Sequence, residues 1–102
     1  MSLFQVAISL NGDILKGTIQ VDPVAIKSTF GTLKFKVKNI AQIQFKNPPY
    51  PEADTIRLLN GDKCSGSVPI DKIPFLPEGA TDIVEIEKSL IHTIMFMGHE
   101  YF

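Results

Sequence analysis

At 102 residues, 44% hydrophobic and 21% charged, the chain has room for one compact domain or two very small ones. It is too charged for long membrane spans, and no run approaches the roughly 20 apolar residues of a spanning helix. The start, Met1-Ser2-Leu3-Phe4-Gln5-Val6, lacks the basic region and apolar core of a secretion signal. Cys64 is the single cysteine and has no internal disulfide partner. Together these features predict a cytoplasmic protein with no membrane partner.

The net charge of −1 hides an asymmetry. Residues 1–50 carry six lysines against Asp13 and Asp22, for +4. Residues 51–102 carry Arg57, Lys63, Lys72 and Lys88 against nine acids, for −5. Such a split points either to a nucleic-acid face on the basic side or to attraction between the halves, within or between chains.

In chain order, Phe4, Val6, Ile8 and Leu10 alternate with Gln5, Ala7 and Ser9, the period-two pattern of a half-buried strand. Asn11-Gly12 supplies two residues tolerant of positive φ, as a type I′ hairpin demands. A two-residue turn sets Ile8 opposite Leu15, Val6 opposite Gly17 and Phe4 opposite Ile19, all on one face. Gly17 marks a sharp bend or a close crossing by another element. Asp22-Pro23 ends the second strand, because proline has no N–H to donate. Val24 to Phe30 reads as a third strand, with Gly31-Thr32 as its turn. Leu33, Phe35 and Val37 then alternate with Lys34, Lys36 and Lys38, apolar inside and basic outside. Lys38-Asn39 is a corner, and Ala41, Ile43 and Phe45 form a last strand. No window has helical periodicity, and β-branched and aromatic residues are plentiful.

Lys46 to Glu52 holds three prolines and reads as a stiff linker. Beyond it the pattern returns. Leu59, Asn60, Gly61, Asp62, Gly66 and Asp71 follow Leu10, Asn11, Gly12, Asp13, Gly17 and Asp22 at a spacing of 49. Ile91, Ile94 and Phe96 follow Ile40, Ile43 and Phe45 at a spacing of 51. The two-residue difference falls in the loop around Pro74 to Ala80. This self-similarity predicts an internal duplication. It divides the chain into a first β unit over 1–46, a proline-rich connector over 47–54 and a second β unit over 55–102, packed separately or as one domain. Thr55 and Arg57 take the places of Val6 and Ile8, so the second unit is expected to be less apolar there. Pro69 shortens its hairpin or puts it at an edge. Glu85 and Glu87 align with Lys34 and Lys36. The two outer faces therefore carry opposite signs, either as solvated surfaces or as strands that meet. Lys34, Lys36, Lys38, Glu85 and Glu87 are the candidate contact residues, and such pairs set partner choice more than affinity.

The run from Ile8 to Ile19, with its Leu10-Asn11-Gly12 turn and Gly17, resembles the first motif of Sm-like proteins. Val37-Lys38-Asn39-Ile40, followed by Ile43, resembles their second. The likeness covers residues 4–45. It implies a small, strongly bent antiparallel barrel of five strands, assembly into rings through edge strands, and often RNA binding. In that family RNA is held by an Asp and an Asn after the second strand and by an Arg-Gly pair. The matching positions here are Asp22, with no Asn behind it, and Lys38-Asn39.

Acid, base and nucleophile do not converge anywhere in the pattern. His92 and His99 have no metal-ligand spacing. His92 aligns with Ala41 and reads as a half-buried histidine on an apolar strand. Cys64 aligns with Leu15 and reads as a small core residue. The Asn-Gly-Asp triplets offer too few oxygens for calcium, and their turn role suffices. No phosphate loop or nucleophile elbow occurs. The lysine stripe lacks interleaved aromatics for base stacking. Met95 to Phe102 is an aromatic tail that docks on a neighbour or stays free. The expectation is an all-β protein, a small Sm-like antiparallel barrel with a duplicated hairpin, without cofactor or metal. Its expected role is a non-enzymatic, self-assembling structural module forming a homo-oligomeric ring, with an RNA-binding ring as the alternative.

Overall fold

The computed structural model describes residues 5–10, 12–46 and 53–96. Phe4, Asn11, the proline-rich run 47–52 and the tail from Met97, with His99, lie outside them. The described chain is all β, without an α-helix. Its strands are β1 (Gln5–Leu10), β2 (Ile14–Ile19), β3 (Val24–Ser28), β4 (Gly31–Phe35), β5 (Ile40–Gln44), β6 (Asp54–Leu58), β7 (Lys63–Gly66), β8 (Lys72–Pro77), β9 (Val84–Glu87) and β10 (Ile91–Phe96). Short 3-10 turns, Val37–Asn39 and Lys88–Leu90, lead into β5 and β10. Eight strands form one antiparallel sheet in the order β7-β6-β5-β10-β1-β2-β8-β9, and β3 pairs with β4 in a second.

The first hairpin follows from its residues. The Leu10 N–H donates to the Asp13 carbonyl at 2.7 Å, which leaves two residues for the turn. Gly12 takes φ +90°, a conformation that side chains resist. Ile8 then stands opposite Leu15 and Val6 opposite Gly17. At Gly17 strand β8 crosses closely. A Cβ there would collide with the Leu76 carbonyl and lie 2.7 Å from the Phe75 ring.

The centre of the sheet is a row of isoleucines. Ile8 faces Ile94, Ile94 faces Ile43, and Ile43 faces Ile56 across four adjacent strands. All four are buried, and Leu15 and Cys64 extend the row at its ends. β-branched side chains pack well in such cross-strand rows. The row belongs to one apolar core that collects residues from both halves of the chain.

The strands do not close into a barrel. Closing residues 5–44 on themselves would require β5 to pair inside that segment. Its partners are β6 and β10, and β10 also pairs with β1. Each half therefore lends its last strand to the other. The sheet stays open, ending at β7 and β9.

Further differences from the expected pattern have local causes. The second hairpin has a longer loop: the Leu58 N–H donates to Asp62, leaving three residues, Leu59-Asn60-Gly61, with Gly61 at φ +97°. One extra residue reverses which side chains face inward. Ile56 and Asp54 therefore hold the inward places, while Arg57 points outward and Thr55 is half-buried on the outer row. Ala41 and His92 are extra residues where the pairing of β5 with β6 and of β10 with β1 shifts. Such bulges redirect side chains, and His92 is exposed rather than half-buried. The third strand ends at Ser28, not Phe30. The Ser28 hydroxyl accepts the Phe30 N–H at 3.1 Å, so the turn closes before Gly31. Leu33 remains 40% exposed because the β3–β4 pair stands outside the main sheet. Pro74 lies in β8, not in a loop, and accepts the Gln20 N–H through its carbonyl.

The row predicts a sharp contrast between adjacent positions. Ile94→Ala is expected to lower unfolding stability by about 2–5 kcal/mol. Met95→Ala, on the opposite exposed face, is expected to cost under about 1 kcal/mol. Urea unfolding of the two variants checks this.

Candidate functional site

The residues singled out for contact all lie on the surface. Lys34 is in β4 opposite Ala25, Lys36 follows that strand, and Lys38 lies in the first 3-10 turn. Glu85 and Glu87 are in β9, opposite Pro74 and Lys72. All five are exposed. Strand β4 pairs with β3 and β9 pairs with β8, so β4 and β9 do not meet as paired strands inside one chain. Among the described residues each is instead a terminal strand with one unpaired edge. Exposed apolar residues accompany both: Phe30 (92% exposed) and Leu33 by β4, Ile83 and Val84 by β9. The turn residues Gly12, Gly17, Asn60, Gly61 and Gly66 belong to the β1–β2 and β6–β7 hairpins, not to those that carry these edges. The Asn60 side chain accepts the Asp62 N–H at 2.8 Å, and Gly66 leaves room for the Lys27 backbone.

A groove of about 530 Å³ opens between the β3–β4 hairpin and β7. Its walls include Lys27, Phe30, Leu33, Lys63 and Cys64. The hydrogen bonding between the two elements is sparse. β7 and β3 touch through the Lys27–Ser67 pair, with N–H to carbonyl bonds of 2.7 and 2.8 Å. On the other side of the molecule β2 and β8 pair over three residues, and the Gln20 N–H extends the ladder to Pro74 at 3.0 Å. Pro69 stands two residues beyond Ser67, as Gln20 stands two beyond Thr18, and it has no N–H. The ladder therefore cannot extend past Ser67 in that direction, while the groove opens in the other, where Lys63 to Gly66 run beside Ser28 to Phe30 without pairing.

A buried ion pair was not foreseen from the sequence. Asp54, 2% exposed, accepts the Lys46 N–H at 2.7 Å and the Val68 N–H at 2.8 Å. Its Oδ2 also lies 2.7 Å from Lys88 Nζ. Lys88 in turn donates to the Val68 carbonyl at 2.7 Å and sits 5.6 Å from the centre of the Phe45 ring. Every polar partner is satisfied, as burial of such a pair requires. In the first half the corresponding inward places belong to Val6 and Val37, both buried. The available signal was the three-residue loop, which turns Asp54 inward, together with Lys88 at a spacing of 51 from Val37. The pair ties the start of β6 to the turn before β10. It is a structural clamp whose carboxylate is closed to solvent, with the Lys88 side chain 23% exposed.

Asp22 and Lys38 flank one corner. Asp22 Oδ1 accepts the Val37 N–H at 3.0 Å and so holds the 3-10 turn. Cys64 is half-buried and packs against the core. Among the described residues, no group of three or more His, Cys, Asp or Glu converges on a point. No helix among them is long and apolar enough to cross a membrane.

The clamp gives a stability test. Lys88→Met leaves the Asp54 carboxylate buried without its cation, at an expected cost of about 3 kcal/mol. Adding Asp54→Asn removes that charge and keeps an acceptor for the Lys46 N–H but not for the Val68 N–H, so the double variant is expected to regain part of the loss. Urea midpoints decide the matter, and a double variant no better than the single one contradicts the reading.

Set against protein-family models, curated proteins and solved structures, the chain finds no match in any of the three.

Proposed function

We propose that this protein is a non-enzymatic structural module that assembles with copies of itself head to tail. The edge of β4 in one copy pairs with the edge of β9 in the next, and the contact repeats until a ring closes. One observation carries the reading: the two terminal strands offer unpaired edges of opposite charge, Lys34 and Lys36 against Glu85 and Glu87. An open edge is a template for another strand. Like charges disfavour β4 meeting β4 or β9 meeting β9, while opposite charges favour β4 meeting β9. A heterologous contact of this kind forms a ring when its rotation closes and a filament when it does not. Phe30 and Leu33 on one edge, with Ile83 and Val84 on the other, supply apolar surface for the contact to cover.

The recurrence of the same element order in both halves fits descent from one duplicated, bent hairpin unit, similar in kind to that of Sm-like proteins. In this reading the two copies exchanged last strands instead of closing separately, and later acquired opposite signs on β4 and β9.

RNA binding is the second reading. Lys34, Lys36 and Lys38 are unpaired among the described residues and lie on the hairpin that carries exposed Phe30, a surface for backbone and base contact. Retention of a labelled oligonucleotide at low salt, lost in Lys34→Glu/Lys36→Glu, supports it.

Light scattering tests assembly. Several subunits per particle are expected at tens of micromolar chain, and a monomer there overturns the proposal. Lys34→Glu with Lys36→Glu is expected to shift the mass toward monomer, and adding Glu85→Lys with Glu87→Lys to restore it in part. Failure of that restoration removes the β4–β9 contact.

A further inference from the structure

The outer surface of β5, β6 and β7 holds a cleft of about 230 Å³ lined by Gln42, Gln44, Thr55, Arg57 and Lys63. All five side chains are polar and two are cations. The strand register sets them in two neighbouring rows: Gln42 opposite Arg57 opposite Lys63, and Gln44 opposite Thr55. Arg57 and Lys63 thus confront each other directly across paired strands, where like charges are destabilising. Among the described residues no acid lines the cleft. Among the described residues neither cation has an ion pair or a side-chain hydrogen bond. The matching rows on β10, β1 and β2 read Thr93 opposite Ser9 opposite Ile14, and Met95 opposite Ala7 opposite Lys16. The set of two cations and two amides is therefore confined to one half and is not a general property of the outer sheet face.

We propose that this cleft binds a phosphate group carrying two negative charges, as in a phosphomonoester. Arg57 offers a planar fork of donors and Lys63 a point charge, so a dianion neutralises both and relieves their repulsion. The Gln42 and Gln44 amides and the Thr55 hydroxyl supply neutral donors for the remaining oxygens. A carboxylate, with one charge, leaves one cation uncompensated. This site is independent of the β4 and β9 edges, which lie on other strands.

Titration with inorganic phosphate near pH 8, where the dianion dominates, tests the proposal by NMR. Saturable shifts are expected at the side-chain amides of Gln42 and Gln44 and at Arg57 Nε–H. Arg57→Gln and Lys63→Gln are each expected to weaken binding at least about tenfold, while Lys16→Gln, in the matching row of the other half, leaves it unchanged. Glycerol phosphate is expected to bind better than an oligonucleotide without terminal phosphate at equal phosphorus. Shifts that do not saturate, or that persist in a folded Arg57→Gln variant, overturn the site. Acetate binding as tightly as phosphate, or a preference for the oligonucleotide, overturns the assignment to a dianionic monoester.

Discussion

Everything else in the molecule depends on the four-strand row Ile8, Ile94, Ile43 and Ile56. Two of its members come from last strands and two from first strands, and no pair comes from one half's own first and last strands. Burying a side chain of this size is worth roughly 1.5–3 kcal/mol, so the row and its flanking Leu15 and Cys64 are a large part of what holds the halves together. The same row explains why no barrel closes. With β5 and β10 adjacent at the centre, each already has a strand on either side, and nothing is left with which to seal a half.

From that centre the sheet runs outward in both directions, and its two wings differ. On one side β8 lies across Gly17 and continues the ladder through Gln20. On the other, β7 and β3 share a single pair, Pro69 bars its extension on one side, and on the other side a groove separates the β3–β4 hairpin from β7. The hairpin's exposure, in turn, leaves β4 as a free edge at the far end from β9.

A second difference between the wings begins with one added turn residue. The three-residue loop after Leu58 rotates β6 so that Asp54 enters the core and Arg57 leaves it. The inward change is answered by Lys88, which neutralises Asp54 where the other half uses two valines. The outward change sets Arg57 beside Lys63 on the surface. A buried clamp and an exposed cationic cleft are thus two results of a single shift in register.

Much of this was written in local pattern. The alternation around Val6 and Ile8, the Asn11-Gly12 turn, the spacing of Gly17 and the corner at Lys38-Asn39 are set by backbone stereochemistry and side-chain periodicity within a few residues, so the strands, the first hairpin register and the all-β class could be read directly. The exposure of Lys34, Lys36, Glu85 and Glu87 was legible for the same reason. What only the tertiary structure decided was long-range pairing: which half receives β5 and β10, the shifts at Ala41 and His92, and the meeting of Asp54 with Lys88. A last strand with a buried apolar face fits its own first strand or the other half's equally well by pattern. The choice rests on how the whole core packs, and a one-residue change in loop length, invisible to a spacing drawn through Asn-Gly-Asp, was enough to turn Asp54 and Arg57 to opposite faces.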